Sequence, residues 1–300
     1  VHLDFKDIAL KDVNAFMAHW ELTEQRSSDY CFPILWGWAL DYGYQAATDP
    51  STGLFWIRQT KPNIYNIAPI GSWQRDNWEE LIRENYGDSP EFWLVPEKLL
   101  DIWKKQFGGK ISAEEDRGNW EYIYNIKDLA ELAGGKYVKK RNRVNQFRRR
   151  YDYVYEPITP DLVPAVIEFQ QQWVEENAGS YLPGIEQESN CIMRILNSWG
   201  DVPHLRGGVI KVADRIVAYT IGELAVDDIL VHFEKACLEY NAGFQVINKE
   251  FLTHMLEDHP ELRIVNREED LNDLGLRESK MSYLPIGFIK KYHVRINFQQ

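Results

Sequence analysis

"DDILVHFEKACLEYNAGFQVINKEFLTHML", residues 227–256, reads as a strand, a short polar loop and a helix opening near Gly243. Alternation along the strand sets His232 and Glu234 on one face and Val231 and Phe233 on the other. A helix N-terminus behind a glycine-containing loop offers free backbone N–H groups to an anion. Gly243 would let that backbone come close to a phosphate. The plain alternative is a wet sheet face at His232 and Glu234, with Gly243 serving only as a turn. A strand–loop–helix unit of this kind belongs to a mixed α/β domain.

Working outward, the same order of elements occurs twice at about half the chain length. Val13, Phe16, Met17 and Trp20 follow the spacing of an amphipathic helix, as do Leu162, Val163, Val166, Ile167, Phe169, Trp173 and Val174. Thr159-Pro160 reads as the N-cap and first residue of the second helix. "GYQAATDPSTGLFWIRQ" is a hairpin turning at Asp49–Gly53, and "GGVIKVADRIVAYTIGEL" a hairpin turning near Ala213-Asp214. Each half then has a further strand, "NIYNIAPIG" or "DILVHFEKA", and helical sequence. Each closes with acids, "EED" at 114–116 or "REED" at 267–270, before a tyrosine-containing strand. The fold class expected is α/β, with mixed sheets and flanking helices duplicated in tandem. The expected boundaries are 1–133 for a first, degenerate domain, 134–150 for a bridging helix and 151–300 for a second, catalytic domain.

The bridge, "GGKYVKKRNRVNQFRRR" (134–150), carries eight of the chain's 34 basic residues and none of its 46 acids. As a helix it places Tyr137, Val144, Phe147 and Tyr151 on one stripe. Its charges are either a solvated face or a contact for something anionic. With a net charge of -12, general nucleic-acid or membrane-surface binding is disfavoured, and DNA is not an expected partner. At 300 residues, 44% hydrophobic and 27% charged, the chain has the size and composition of a globular protein with room for two cores.

Cys31, Cys191 and Cys237 are odd in number and widely spaced, which suggests neither a disulfide framework nor a zinc ribbon. The seven histidines show no metal-ligand spacing, and no metal is expected. The opening "VHLDFKDIALKD" lacks a signal-peptide apolar core, and "YCFPILWGWAL" (30–40) is about half a spanning helix. A cytoplasmic protein without a transmembrane segment is expected. G-x-S-x-G, G-x-x-x-x-G-K-[ST] and G-x-G-x-x-G are all missing.

Taken together, "GGKYVKKRNRVNQF", "VHFEKACLEYNAGFQVINKEF" and "IVNREEDLNDLGLRESKMSYLP" resemble the C-terminal domain family of phosphatidylglycerol lysyltransferases, weakly over residues 1–90 and strongly from about 118 to 292. That family belongs to the GCN5-related N-acetyltransferase (GNAT) superfamily and carries two such folds in tandem. The resemblance implies acyl transfer from an activated donor to an amine or hydroxyl. In GNAT folds the donor is usually acyl-coenzyme A, held by the loop and helix after the fourth strand. That places the cofactor at Lys235, Ala236, Cys237, Leu238, Tyr240, Asn241, Ala242, Gly243, Phe244 and Gln245. The superfamily loop Q/R-x-x-G-x-G/A reads Tyr240-x-x-Gly243-x-Gln245 here and keeps only the central glycine. Aminoacyl-tRNA, the donor of the lysyltransferases and of the related Fem-type enzymes, stays open, with a tRNA acceptor end as partner beside small-molecule donors and acceptors.

Attack on an ester or thioester needs a base and a positive or N–H partner for the oxyanion. Glu234, Glu268 and Asp270 are the base candidates. Arg277 and Lys280 are the electrophilic ones, and Tyr283 is placed to protonate a leaving group. His232, Asn266, Lys139, Lys140 and Arg141 are candidates for holding substrate. The competing reading makes Arg277 and Lys280 structural partners of the acids at 267–270. The function expected first is transfer of an acyl group from acyl-coenzyme A to an amine of an unidentified acceptor. Aminoacyl-tRNA-dependent transfer to a lipid or small molecule is the second reading, and a non-catalytic ligand-binding relative the third. Cys237 is read as a packing residue, not a nucleophile.

Overall fold

The computed structural model describes residues 3–177 and 184–299. The first half runs β1 (Lys6–Asp7), α1 (Val13–Trp20), α2 (Phe32–Gly37), α3 (Ala39–Tyr42), β2 (Gln45–Asp49), β3 (Leu54–Gln59), β4 (Tyr65–Ile70), α4 (Trp78–Tyr86), β5 (Glu91–Pro96), α5 (Glu97–Phe107) and β6 (Ile111–Glu115). It continues through β7 (Glu121–Asn125), α6 (Ile126–Glu131) and the basic helix α7 (Val138–Arg150). The second half follows with β8 (Tyr153–Pro157), α8 (Val163–Asn177), α9 (Ile185–Asn197), β9 (Leu205–Val212), β10 (Arg215–Ala225), β11 (Asp228–Ala236) and α10 (Gly243–Asp258). It ends in β12 (Ile264–Asn266), α11 (Leu274–Met281), β13 (Gly287–Ile289) and β14 (Lys291–Ile296).

Two compact units result. Unit 1 is built from residues 1–121, 269–274 and 288–300, and unit 2 from 122–268 and 275–287. These bounds differ from the expected division into 1–133, 134–150 and 151–300. The basic helix is part of unit 2, and the chain's end belongs to unit 1.

Strand order gives the reason. In unit 1 the strands run β1-β2-β3-β4-β5-β14-β6, and in unit 2 they run β8-β9-β10-β11-β12-β7. Position by position, β7 stands in the second sheet where β14 stands in the first. Each sheet thus takes one strand from the opposite half of the sequence. In both sheets the parallel pair occupies the same place, β4 with β5 and β11 with β12. The tandem repeat is therefore real, and a cut at the sequence midpoint does not separate its members.

Both hairpins turn where expected. Thr52 and Gly53 N–H groups donate to the Asp49 carbonyl at 3.2 and 2.9 Å, with Gly53 at φ +66°. Ala213 and Asp214 adopt φ +48° and +64° between β9 and β10, the left-handed pair that a two-residue hairpin turn requires. The second long helix starts later than expected, because Thr159 first closes a turn through the Leu162 and Val163 N–H groups.

In unit 1 the core is aromatic: Phe16 packs edge-on against Phe32 and Phe55, and Trp56, Trp78 and Trp103 are fully buried. In unit 2, Val246, Ile247, Phe251 and Leu252 of α10 are buried, and Phe169 meets Tyr219 edge-on. No helix among the described residues is long and apolar enough to cross a membrane.

Candidate functional site

The site of unit 2 begins where β11 leaves β12. Their parallel pairing covers only Asp228–Leu230 against Ile264–Asn266, so Val231–Ala236 runs on with no β12 residue opposite. On its other side β11 pairs with β10 through a bulge. Phe233 pairs with Ile221 and Val231 with Gly222, leaving His232 as the extra residue. A bulge breaks the simple alternation and re-aims a side chain. Gly222 permits it, since a Cβ there would collide with the Leu230 carbonyl oxygen.

Two acid–base pairs fill this wedge. His232 is buried, with Nδ1 2.6 Å from Glu268 Oε1 and Nε2 3.6 Å from Glu223 Oε2. One residue pair along, the Arg267 guanidinium donates to Glu234 Oε2, and the Asn248 amide donates to Glu234 Oε1 at 2.9 Å. Burial works against charge on Arg267, but the Glu234 carboxylate outweighs it and holds the guanidinium pKa above its ordinary value. Glu268 has φ +58°, a strained conformation for a side-chain-bearing residue. Two hydrogen bonds pin it there: its N–H donates to Asn266 Oδ1 at 2.9 Å, and its carbonyl accepts the Tyr122 N–H at 3.1 Å.

Tyr283 closes the arrangement. Its ring lies 4.9 Å from the Arg267 guanidinium and 3.8 Å from Lys140 Nζ. Burial, only partly offset by Arg267, raises the Tyr283 pKa and keeps its hydroxyl protonated. Lys140 donates to Ser282 Oγ at 2.5 Å. Burial and the nearby charges of Arg267 and Arg143 push its ammonium pKa down to about 8. No carboxylate among the described residues lies within ion-pair distance of Lys140 or Arg143.

The remaining candidates divide. Lys280 is buried, its ammonium donating to the Arg267 carbonyl and standing 5.7 Å from the Tyr122 ring. It supports the backbone that carries Arg267. Arg277 is half-buried on α11. Asp270 falls in unit 1, fully buried and paired with Arg117 at 3.0 Å.

In the basic segment, Tyr137, Val144 and Phe147 are buried as the stripe required. Arg141 donates to the Leu132 and Gly134 carbonyls at the end of α6, and Arg148 donates to Glu250 at 2.7 Å. Both cap or brace the fold. Lys139 is exposed.

Among the loop candidates, Lys235 is buried, donating to Glu188 at 2.7 Å and lying 4.5 Å from the Trp173 ring. Ala236 and Cys237 are buried, and burial pushes the Cys237 thiol pKa up, which suits a packing residue. Leu238, Asn241 and Phe244 are exposed, and Tyr240 stacks near Tyr151 at 5.0 Å. Gln245 is half-buried. The left-handed residue is Ala242, at φ +76°.

Gly243 owes its identity to packing: a Cβ there would stand 3.0 Å from Ala236 Cβ and 4.0 Å from Ala218 Cβ. The helix start is pressed onto β10 and β11. Gly243→Val is therefore expected to lower stability by about 1–3 kcal/mol through overpacking, read as a fall in urea midpoint at unchanged slope.

Glu223 and Arg267 belong to the site without being among the residues expected from the sequence. Glu223 had a signal, being the one charged residue between Ile216 and Ala225 in an otherwise buried strand.

Comparison with known proteins follows the same lines. A crystal structure of a conserved protein of unknown function from Bacteroides thetaiotaomicron is 28% identical, with a TM-score of 0.86 over 98% of this chain and 100% of that one. The C-terminal domain of a putative lysylphosphatidylglycerol synthetase from Agrobacterium fabrum is 13% identical, with a TM-score of 0.65 over 96% and 92%. FemX is 9% identical, with a TM-score of 0.62 over 99% and 98%. The last two share the fold of this chain. An uncharacterized protein of Mycoplasmoides gallisepticum is 22% identical over 183 residues, 58% of this chain and 56% of that protein's length, so the chain spans about half of that relative. The profile of the family described as "Phosphatidylglycerol lysyltransferase, C-terminal" matches residues 20–295, nearly the whole chain, and the protein belongs to that family.

Proposed function

We propose that the protein is a transferase that moves an aminoacyl group from the ester of aminoacyl-tRNA to an amine or hydroxyl, with its chemistry in the wedge of unit 2. The observation that carries this reading is the pair of acid–base contacts, His232–Glu268 and Glu234–Arg267, lining β11 beyond the end of its pairing with β12. Attack on an ester needs a carboxylate for the acceptor proton and a cation near the developing oxyanion. Both kinds of group stand there on the same short stretch of backbone. Tyr283, kept protonated, is a donor for the leaving oxygen.

The choice of donor rests on two further features. The loop keeps only the central glycine of the superfamily pattern, and the Cβ side of that glycine lies against Ala236, which gives coenzyme A less support than the usual loop would. Lys140 and Arg143 lack acidic partners, which favours a phosphodiester nearby.

The test uses total tRNA charged with a labelled amino-acid mixture, offered with vesicles of phosphatidylglycerol or with a polyamine. The expected result is protein-dependent loss of label from tRNA that needs one of the two acceptors. Release of free thiol from acetyl-coenzyme A, with tRNA left charged, would transfer the reading to an acyl-coenzyme A donor. If neither donor is consumed faster than by a Glu268→Gln variant, the transferase reading fails.

A further inference from the structure

Glu223 is a carboxylate in the wrong place for a structural acid. It is fully buried on β10, and neither of its oxygens has a hydrogen-bond partner among the described residues. A carboxylate left bare in a protein interior costs several kcal/mol unless a proton or a counter-charge meets it. One group facing it is the Nε2 of His232, 3.6 Å away. His232 in turn sits at the bulge of β11 and directs Nδ1 at Glu268. Of the three side chains, Glu223 and His232 are wholly enclosed, while Glu268 keeps 16% of its side-chain surface exposed. Glu268 is thus the end of the row that a substrate can reach.

We propose that Glu223 and His232 are positioning residues that hold Glu268 as the base for the acceptor, which rests on the transferase reading above. In the proposed arrangement each of the two contacts holds one proton. His232 Nδ1–H donates to Glu268 Oε1, so that carboxylate is ionised and oriented. One further proton is shared between Glu223 and Nε2, which removes the bare buried charge. When the acceptor attacks the donor carbonyl, its N–H or O–H bond breaks and the proton goes to the Glu268 carboxylate, while Oε1 continues to accept from Nδ1. The electron pair of the broken bond stays on the acceptor atom, which forms the new bond to the acyl carbon, and the leaving group departs with the pair of the old one. The Glu234 oxygens accept from Arg267 and Asn248, which makes that carboxylate the counter-ion of the guanidinium. The strain at Glu268, held by Asn266 and Tyr122, fits a side chain fixed for use.

Two measurements test the proposal. The first needs no substrate: nitrogen NMR of histidine-labelled protein, with the His232 signals assigned by their loss in His232→Asn. At neutral pH Nδ1 should appear protonated, and Glu223→Gln should shift the Nε2 signal by changing the group that shares its proton. An unprotonated Nδ1, or an Nε2 signal indifferent to Glu223→Gln, overturns the arrangement.

The second uses the labelled-tRNA assay. Glu268→Gln should lower kcat by about 10²–10⁴-fold. His232→Leu should lower it by roughly 10²-fold at unchanged KM, while His232→Asn, whose amide can still donate to Glu268, should recover at least half of that loss on a logarithmic scale. Glu223→Gln should lower kcat by about tenfold. Melting temperatures of all variants establish that folded protein is compared. Stable His232→Leu with wild-type kcat overturns the proposal. A wild-type protein that transfers nothing sinks the transferase reading instead, and the NMR result then stands or falls by itself.

Discussion

Lys291→Met is expected to cost about 3–5 kcal/mol of stability, the scale of removing one partner from a buried ion cluster. Lys291 is fully buried in unit 1, with its ammonium against Asp29 and 2.5 Å from Glu121 Oε1. Ser27 Oγ lies 3.0 Å from Asp29 Oδ2 and 2.8 Å from Glu121 Oε1 with one proton to donate between them, and the Ser28 N–H and hydroxyl donate to Glu121. Burial pushes the Asp29 pKa up, against the pull of Lys291. Burial also works against the charge on Lys291, but Asp29 and Glu121 hold its pKa above the ordinary value. With the lysine gone, two carboxylates share a dry site.

The pH dependence has a definite sign. A lysine with a raised folded pKa gives its stabilisation in full below its unfolded value, so the deficit of the variant does not arise from lysine titration at pH 5–8. Without Lys291, Asp29 must bind its proton more readily still when folded. A raised acid favours the folded state at low pH and loses that advantage as pH rises. The deficit should therefore be smaller at pH 5 than at pH 8, measured by urea unfolding at both. Lys290→Met, one residue earlier, should stay within about 0.5 kcal/mol. Its side chain lies 4.7 Å from the Trp120 ring and has company without enclosure. Equal stability of the two variants would remove Lys291 from the role of counter-ion.

The neighbouring lysines also show what a sequence reading reaches. Hairpins, the long helices and the apolar stripe of the basic helix follow from periodicity and turn chemistry, because those are local properties. That Lys290 is accessible and Lys291 enclosed depends on β14 joining β5 and β6 in unit 1, a pairing of residues some two hundred positions apart. Nothing near position 291 signals it. The exchange of β7 and β14 between the two sheets escaped for the same reason, since consecutive elements are usually neighbours in space.

At the site, the resemblance directed attention to 231–245 and 266–283, and Glu234, Glu268, His232, Asn266, Lys140 and Tyr283 do come together in unit 2. Roles were harder to read. Lys280 reads as electrophilic from its place between acids and tyrosine, and in the fold its ammonium donates to the Arg267 carbonyl. Arg267, in the same "REED" cluster, carries the guanidinium that faces Glu234. A bulge decides which side chains of β11 face the wedge, and its cause, the glycine at 222, lies on another strand.

Arg267→Met should separate what the Glu234–Arg267 pair does for the fold from what it does for transfer. Both side chains are largely enclosed, 14% and 11% exposed, and Asn248 holds the second Glu234 oxygen. Removing the guanidinium leaves Glu234 facing the Tyr283 ring with one amide for company. A loss of about 3 kcal/mol is expected, at the lower end for a broken buried pair because some water reaches it. Adding Glu234→Gln removes the stranded charge. The amide of the new residue has one donor and one acceptor where two acceptors stood, and the double variant should recover more than half of the lost stability. The coupling between the two changes should then exceed about 1 kcal/mol, as expected for residues in contact.

Transfer should behave differently. Without a fixed cation near the ester, the developing oxyanion lacks its partner, and loss of one such donor typically costs about 10²–10³ in kcat. Repairing the stability does not restore that charge, so the double variant should be as slow as Arg267→Met. Arg267→Lys, which keeps a charge but not the planar fork, should fall between. A double variant that regains both stability and turnover would make the pair a structural strut, leaving Lys140 as the remaining cation beside Tyr283 to meet the oxyanion.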